Sequence, residues 1–344
     1  MNVNQPVRLE TFSQMALPHV ERTMLDVLAL GRTGATGPLV EMMVYHLGLD
    51  AESVLSQGKR IRPLLVLLCC GSAGPDPEGW RRALPAAAAV ELLHNFSLIH
   101  DDIQDASPTR RGRPAVWKRW GIPQAINAGD AMYTLAYRAL LDQRAVSGPE
   151  ISLEMQRVLQ DTCLALTRGQ YLDLDFETRR DISLEEYWEM ISGKTAALLA
   201  ACTELGALAA GVSEDRQGAY REFGRSLGLA FQVQDDLLGI WGDESRTGKP
   251  SGGDLTAGKK SLPILFGLSQ EGEFARRWRT GPVLAEASSG MAAQLDAEGG
   301  REFTEAQVRT KTGEAMHFLE EAEPKGEIGE LLVFLANSLI RRQA

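Results

Sequence analysis

Long tracts in which apolar residues recur three and four positions apart, built largely from Ala, Leu, Glu, Arg and Met, constrain this chain more than any other feature. They run over 83–103, 150–173, 183–211 and 214–241, and β-branched alternation is scarce. These residue types lose little side-chain freedom in a helix, so the pattern predicts an all-α fold. The punctuation agrees. Ser183 precedes an acidic first turn (Glu185, Glu186) and suits an N-cap, Pro85 falls in the first turn of its segment, and Gly211 suits a helix end. Breaks rich in Gly, Pro, Ser or charge are expected at 71–79, 106–114, 242–258 and 280–300. None separates two compositions and no solenoid-like repeat is present, so residues 1–344 read as a single helical domain with helices crowded around a central cavity. The motif-bearing core spans about 40–270, 271–344 read as peripheral C-terminal helices, and the acidic tract 285–323 reads as a helix pair.

Composition limits the partners. With 36 Lys+Arg against 46 Asp+Glu the net charge is −10, which argues against a surface built to hold nucleic acid, so any anion site must be local. The four cysteines, Cys69, Cys70, Cys163 and Cys202, lie in apolar stretches without a CxxC pair and read as core residues in a reducing compartment. The opening MNVNQPVRLETFSQM lacks the basic end and apolar run of a secretion signal. The apolar runs at 64–70 and 196–202 fall well short of the roughly 20 residues that cross a bilayer. The expected setting is cytoplasmic, with no membrane span.

Chemistry concentrates in two acidic patches. The first is Asp101-Asp102-Ile103-Gln104-Asp105, at the end of an apolar helix. At about 100° per residue, Asp101 and Asp105 point within roughly 40° of each other, one turn apart. Like charges so placed repel, and a helix C-terminus is the unfavourable end for anions, so the cluster calls for a cation beside it. Hard oxygen ligands in a row suit Mg²⁺, which keeps several waters and bridges carboxylates to phosphate oxygens. The second patch, Asp235-Asp236, follows the apolar LGLAFQVQ. Either pair alone reads equally as a solvated helix face; two of the same design read as jaws across a cavity.

Basic residues stand where a phosphate-bearing ligand needs them. In GKRIRP (58–63), Lys59 and Arg62 are three apart, which puts them on one side of a helical turn. Arg110-Arg111-Gly112 follows the first patch, Lys194 and Thr195 lie in SGKT, and Lys249 and Lys259 flank the Gly-rich stretch after the second patch. SGKT lacks the full phosphate-loop spacing, since position 189 is Glu, and no strand precedes it, so an ATPase is excluded. His94, seven residues before Asp101, can reach an anion held by Lys59 and Arg62, whereas His100 reads as a packing residue.

Taken together these segments resemble the all-trans polyprenyl diphosphate synthase family. The resemblance rests on GKRIRP (58–63), DDIQD (101–105) with RRG (110–112), GQ-x-x-D (169–173), GKT (193–195), FQ-x-x-DD (231–236) and GK-x-S-x-P (258–263), in that order. It implies mostly antiparallel helices around a deep cavity, usually a homodimer. It also implies Mg²⁺-dependent head-to-tail (1′-4) joining of isopentenyl diphosphate to an allylic diphosphate. Carried over by position, Asp101, Asp102 and Asp105 would form the first Asp-rich motif, in which Asp101 and Asp105 hold two Mg²⁺ ions, and Asp235 would hold a third with Asp236 in support. Arg110, Lys194, Lys249 and Lys259 would neutralise the allylic diphosphate, and Lys59, Arg62, His94 and Arg111 would bind isopentenyl diphosphate. Gln170, Thr195 and Gln232 match polar positions near the reacting carbons.

The second motif departs from the common DDxxD, because its fifth position is Gly239 and Asp243 lies too far along to replace it. Ionising an allylic diphosphate leaves an allyl cation and a trianion, which explains the need for metal ions and lysines. Two diphosphates further demand two cationic pockets. Product length should depend on what lies below Asp101: Ser97, Phe96 and Leu93, with Phe96 as the floor, unless it is ordinary core. One aromatic there resembles synthases of C20 geranylgeranyl diphosphate, with C15 farnesyl diphosphate next. A class I terpene cyclase, or a non-catalytic regulatory subunit of a heteromeric synthase, are the alternatives. The first needs no second anion pocket and carries an N-x-x-x-S/T-x-x-x-E motif not found here; the second predicts lost aspartates or lysines.

Overall fold

The runs of helix-forming residues do form helices. The computed structural model describes residues 5–50, 58–74, 76, 78–242 and 252–340. In chain order the helices are α1 (Gln5–Ala29), α2 (Gly37–Leu47), α3 (Ile61–Ser72), α4 (Leu84–Gln104), α5 (Val116–Trp120), α6 (Ile122–Ser147), α7 (Pro149–Thr178) and α8 (Leu184–Ile191). They continue with α9 (Ala197–Ala210), α10 (Glu214–Trp241), α11 (Gly253–Thr256), α12 (Leu262–Ser269), α13 (Glu273–Trp278), α14 (Ala285–Ala297), α15 (Gly300–Glu321) and α16 (Gly326–Ile340). No described helix is long and apolar enough to cross a membrane. The four cysteines are buried, as their apolar settings suggest.

The all-α reading holds, with local corrections. Residues 109–114 form a hairpin, β1 (Thr109–Arg110) against β2 (Arg113–Pro114), with Arg110 opposite Arg113. Its two-residue turn puts both Arg111 (φ 52°) and Gly112 (φ 74°) in the left-handed region, the geometry that matches strand twist. The expected helix over 183–211 is interrupted by a π-turn at Ser192–Ala196. Its start is as expected, since Ser183 Oγ accepts from the Glu186 N–H (3.1 Å) and Glu186 returns a carboxylate to the Ser183 N–H (2.9 Å). The break expected at 280–300 contains α14, whose small residues (AEASSGMAAQ) still favour helix, and α3 runs on through Ser72 into the break expected from 71. The pair α14 and α15 fulfils the helix-pair reading of 285–323.

The described chain falls into two compact units, one formed by Met1–Cys163, Ala201–Tyr220 and Ala322–Phe334, the other by Leu164–Ala200, Arg221–Glu321 and Leu335–Ala344. In the first, α3 is apolar all round and buried from Pro63 to Ser72, as a central helix must be. The Ala86–Val90 run of α4 is fully buried, and α6 contributes buried Ala128, Met132, Ala136 and Leu140. In the second, Phe176, Tyr187, Met190, Ile191, Leu229, Val233 and Leu265 form one cluster, and Ile240, Leu255, Ile264, Phe274 and Met291 another. At about 25 cal/mol per Å² of apolar surface, these cores dominate the stability of each unit.

Candidate active site

In the first unit, the last turn of α4 carries the three acids of the first patch. Asp101 is half-buried, Asp102 buried, and Asp105 exposed at the C-cap, its N–H donating to the Asp101 carbonyl (2.8 Å). The roles separate through burial. Asp102 turns inward and accepts from Arg110 Nε (2.9 Å). Burial holds its carboxyl above the usual range even though Arg110 opposes that rise. Arg110 is thereby committed to an acid in the same patch.

Arg111, on the hairpin turn, reaches a different network. Its Nη2 donates to Asn95 Oδ1 (3.3 Å), Asn95 Nδ2 donates to Glu91 Oε1 (2.9 Å), and Glu91 pairs with Arg60 (2.6 Å), both fully buried side chains. Arg60 also donates to the Leu47 carbonyl (2.6 Å). Burial lowers the pKa of both Arg62 and Arg111. It also drives His94 well below its ordinary value, and Arg62, Arg111, His46 and Arg110 push it further the same way. His46 is pushed down to about 3 by burial and by Arg111, Arg110 and Arg60. Buried Arg62 Nε, Arg111 Nη1 and His46 Nε2 have no hydrogen-bond partner among the described residues. Crowded positive charge with unused donors is a setting for an anion. Lys59 is a correction: α3 begins at Ile61, after Arg60 in the left-handed region (φ 46°), so Lys59 is exposed outside the helix and shares no turn with Arg62.

The three residues expected to set the floor lie on α4. Leu93 is fully buried, while Ser97, half-buried, donates to the His94 carbonyl (2.8 Å). The Phe96 ring meets His100 edge-on (5.5 Å) and Tyr133 of α6 tilted (5.2 Å).

In the second unit, α7 crosses the π-turn at two glycines. A Cβ added at Gly169 would lie 2.7 Å from the Gly193 carbonyl carbon, and one at Gly193 would lie 2.6 Å from the Ala165 carbonyl oxygen, so only glycine allows this approach. The crossing brings Lys194 into an ion pair with Asp173, one turn beyond Gly169 on α7, with Gln170 half-buried between. A π-turn at this point fits a side chain that must be aimed. Thr195 Oγ1 donates to Gln232 Oε1 (2.8 Å), and Gln232 Nε2 donates to Asp236 Oδ1 (3.0 Å). Asp236 is buried and accepts further from the Tyr187 hydroxyl (2.6 Å) and the Leu262 N–H (2.9 Å). Asp235, its neighbour, is half-buried. Burial pulls the Lys259 ammonium down, but Asp236, Asp254, Asp235 and Asp173 together raise it above its ordinary value. Lys249 lies outside the described residues.

The carboxylates of Asp101, Asp105 and Asp235 are hard oxygen donors and fit Mg²⁺. Among the described residues no three Asp, Glu, His or Cys side chains are grouped to hold a metal. Sequence reasoning missed His46, Glu91, Asn95, Tyr187 and Asp254. Arg60 and Asp173 stood inside motifs already singled out, but nothing in the spacing showed what they touch. A wider cavity of about 810 Å³, beside Phe12, Met15, Ile328 and Leu331 in the first unit, contains none of the predicted site residues.

The chain matches a family model described as polyprenyl synthetase over residues 49–280. It is 39% identical over 312 residues to a (2E,6E)-farnesyl diphosphate synthase of Mycobacterium tuberculosis, covering 87% of this chain and 85% of that protein. Over 242 residues it is 43% identical to a geranylgeranyl diphosphate synthase of the same organism, covering 69% of this chain and 67% of that one. Among solved structures, geranylgeranyl pyrophosphate synthetase from Pyrococcus horikoshii superposes with a TM-score of 0.86 at 31% identity, covering 98% of this chain and 99% of that one. A match of this extent, in sequence and in fold, makes the chain a member of the polyprenyl synthetase family.

Proposed function

We propose that this chain is a prenyltransferase that joins isopentenyl diphosphate head to tail (1′-4) to an allylic diphosphate, giving a short all-trans prenyl diphosphate of C20 or C15. The observation that carries the reading is the separation of cationic groups into two sets of different construction. Arg62 and Arg111 are guanidiniums that burial makes costly, beside histidines kept neutral. Lys194 and Lys259 are ammoniums held by acids. The first set suits isopentenyl diphosphate, which is bound but not ionised. A neutral His94 can donate to its oxygens without adding charge, and Lys59 adds an exposed cation.

The second set, with Arg110 and Lys249, suits the allylic diphosphate, whose C–O bond breaks. Mg²⁺ ions, three by analogy with the family, would be held by Asp101, Asp105 and Asp235 and would supply charge stabilisation on the departing diphosphate. Lys194 is paired with Asp173, and carboxylates raise the Lys259 ammonium above its ordinary value, so each is placed to offer positive charge to that leaving group. Gln232, fixed at both ends by Thr195 and Asp236, presents a polar group in one orientation near the reacting carbons, and Gln170 follows Gly169, where α7 meets the π-turn that carries Lys194. The double bond of isopentenyl diphosphate attacks the allylic carbon, and the hydrogen then lost passes to the released diphosphate, since the neutral, cation-ringed histidines are poor bases. Phe96 is proposed as the floor for the growing chain. A homodimer is proposed as the working form, with support from Ile122, Ile126 and Leu141, exposed on one stripe of α6.

The test is incubation with isopentenyl diphosphate, Mg²⁺ and dimethylallyl, geranyl or farnesyl diphosphate in turn, with products identified by mass spectrometry. Elongation by five-carbon steps is expected. Cyclic hydrocarbon, or no turnover with any primer, would contradict the proposal.

A further inference from the structure

The adjacent arginines of the hairpin, Arg110 and Arg111, are held by partners of different charge. Arg110 Nε donates to the buried carboxylate of Asp102 (2.9 Å), so an opposite charge meets its own. Arg111 Nη2 donates to Asn95 Oδ1 (3.3 Å), the oxygen of a neutral amide. Its Nη1 is buried and has no hydrogen-bond partner among the described residues. A guanidinium gripped through one nitrogen by a neutral group keeps its charge and its remaining donors for something else.

Asn95 is fully buried, and its orientation is fixed from behind. On α4 it stands four residues after Glu91, hence on the same face one turn on. Its Nδ2 donates to the Glu91 carbonyl (2.8 Å) and to Glu91 Oε1 (2.9 Å). With both amide hydrogens directed at Glu91, only the oxygen can face Arg111. Glu91 is anchored in turn by Arg60 (2.6 Å), which also donates to the Leu47 carbonyl (2.6 Å). The charge of Glu91 is thus directed at Arg60, and what reaches Arg111 is an amide dipole. Space confines the guanidinium as well: a Cβ added at Gly58 would lie 3.1 Å from Arg111 Cζ, so the group packs against the backbone there. A carboxylate in place of Asn95 would grip Arg111 more strongly but would cancel its charge.

Resting on the function proposed above, we propose that Asn95 is a positioning residue of the isopentenyl diphosphate site, aiming the Arg111 guanidinium through a neutral acceptor so that its charge and its Nη1 are left for the diphosphate. Asn95 acts through Arg111 and not on the substrate. The relay Arg60, Glu91, Asn95, Arg111 thereby ends in a cation that is fixed in place but not neutralised.

The experiment compares wild type with Asn95→Leu, Asn95→Ala, Arg111→Met and the double variant Asn95→Leu/Arg111→Met, reading KM for each diphosphate, kcat and Tm. Leucine keeps the volume and removes the amide; alanine removes both, so a variant that packs badly does not decide the matter alone. Assays are run below the lowest Tm of the set, which keeps unfolding out of either KM. Both single changes at Asn95 should raise KM for isopentenyl diphosphate about fivefold or more, with kcat and KM for the allylic substrate within about twofold of wild type. In the Arg111→Met background, Asn95→Leu should add less than about twofold, because the group it acts through is gone. Three results would each overturn the inference: KM for isopentenyl diphosphate unchanged in both single variants, both KM values rising alike, or the full cost of Asn95→Leu persisting without Arg111. Absence of elongation by wild type would instead overturn the proposed function, so the two failures are distinguishable.

Discussion

The hydroxyl of Tyr187 donates to Asp236 Oδ2 across 2.6 Å. With Gln232 and the Leu262 N–H on the same carboxylate, Asp236 is a buried acceptor whose loss would strand three donors, whereas half-buried Asp235 next to it has no such role in packing. The two aspartates should therefore fail differently. Asp236→Ala should cost about 3 kcal/mol of stability, seen as a fall in Tm. Asp235→Ala should leave Tm near wild type and lower turnover by roughly a hundredfold. Equal Tm losses would contradict this division.

A buried ion pair underlies the first cationic set. Glu91→Gln removes the charge that Arg60 faces at 2.6 Å, in a place where both side chains are hidden from water. An uncompensated buried guanidinium costs about 3–5 kcal/mol, and the network through Asn95 to Arg111 should loosen with it. Urea unfolding should show the stability loss, together with a raised KM for isopentenyl diphosphate. A variant as stable as wild type would refute it.

His46 gives the fold a pH dependence of known sign. Its pKa falls from 6.5 to about 3 on folding, chiefly through burial. Below 6.5 the unfolded chain takes up a proton that the folded chain refuses until about pH 3. The contribution is therefore intact above the unfolded value and declines as pH drops toward the folded one. At pH 5 the loss is about 2 kcal/mol for this residue. Urea titrations at pH 7 and pH 5 should show a smaller pH-induced loss in His46→Gln than in wild type; equal losses would contradict the assignment.

Phe96 bears on product length. Its ring stands between His100 and Tyr133, one and a half turns before Asp101. Phe96→Ala should shift the mass-spectrometric product distribution upward by at least one five-carbon unit. An unchanged distribution would mark the ring as ordinary packing.

What the sequence revealed follows from the range of the forces involved. Helix α10 and its acidic pair were legible because periodicity and adjacent charges are local properties. The π-turn at Ser192–Ala196 was not, because it arises where Gly193 meets Gly169 some two dozen residues earlier in the chain. The strands at Arg110 and Arg113 are too short to carry a period, and the Ser, Pro and Gly of 106–114 signalled a break without its hairpin form. Lys59 was misplaced because a spacing of three means a shared face only inside a helix, and Arg60 breaks that condition with a left-handed backbone. The approach of Asp254 to Gly239 was also invisible, because it is a contact between two residues fifteen apart that no local pattern encodes.

The central claim is that two diphosphates are bound by two different cationic sets, and substrate-specific kinetics of Arg111→Met and Lys194→Met test it most directly. The account predicts that Arg111→Met raises KM for isopentenyl diphosphate at least tenfold with little change for the allylic primer. Lys194→Met should lower turnover by roughly a hundredfold and weaken only the primer. If each variant raised both KM values in equal proportion, the two sets would be one site, and the account would be wrong.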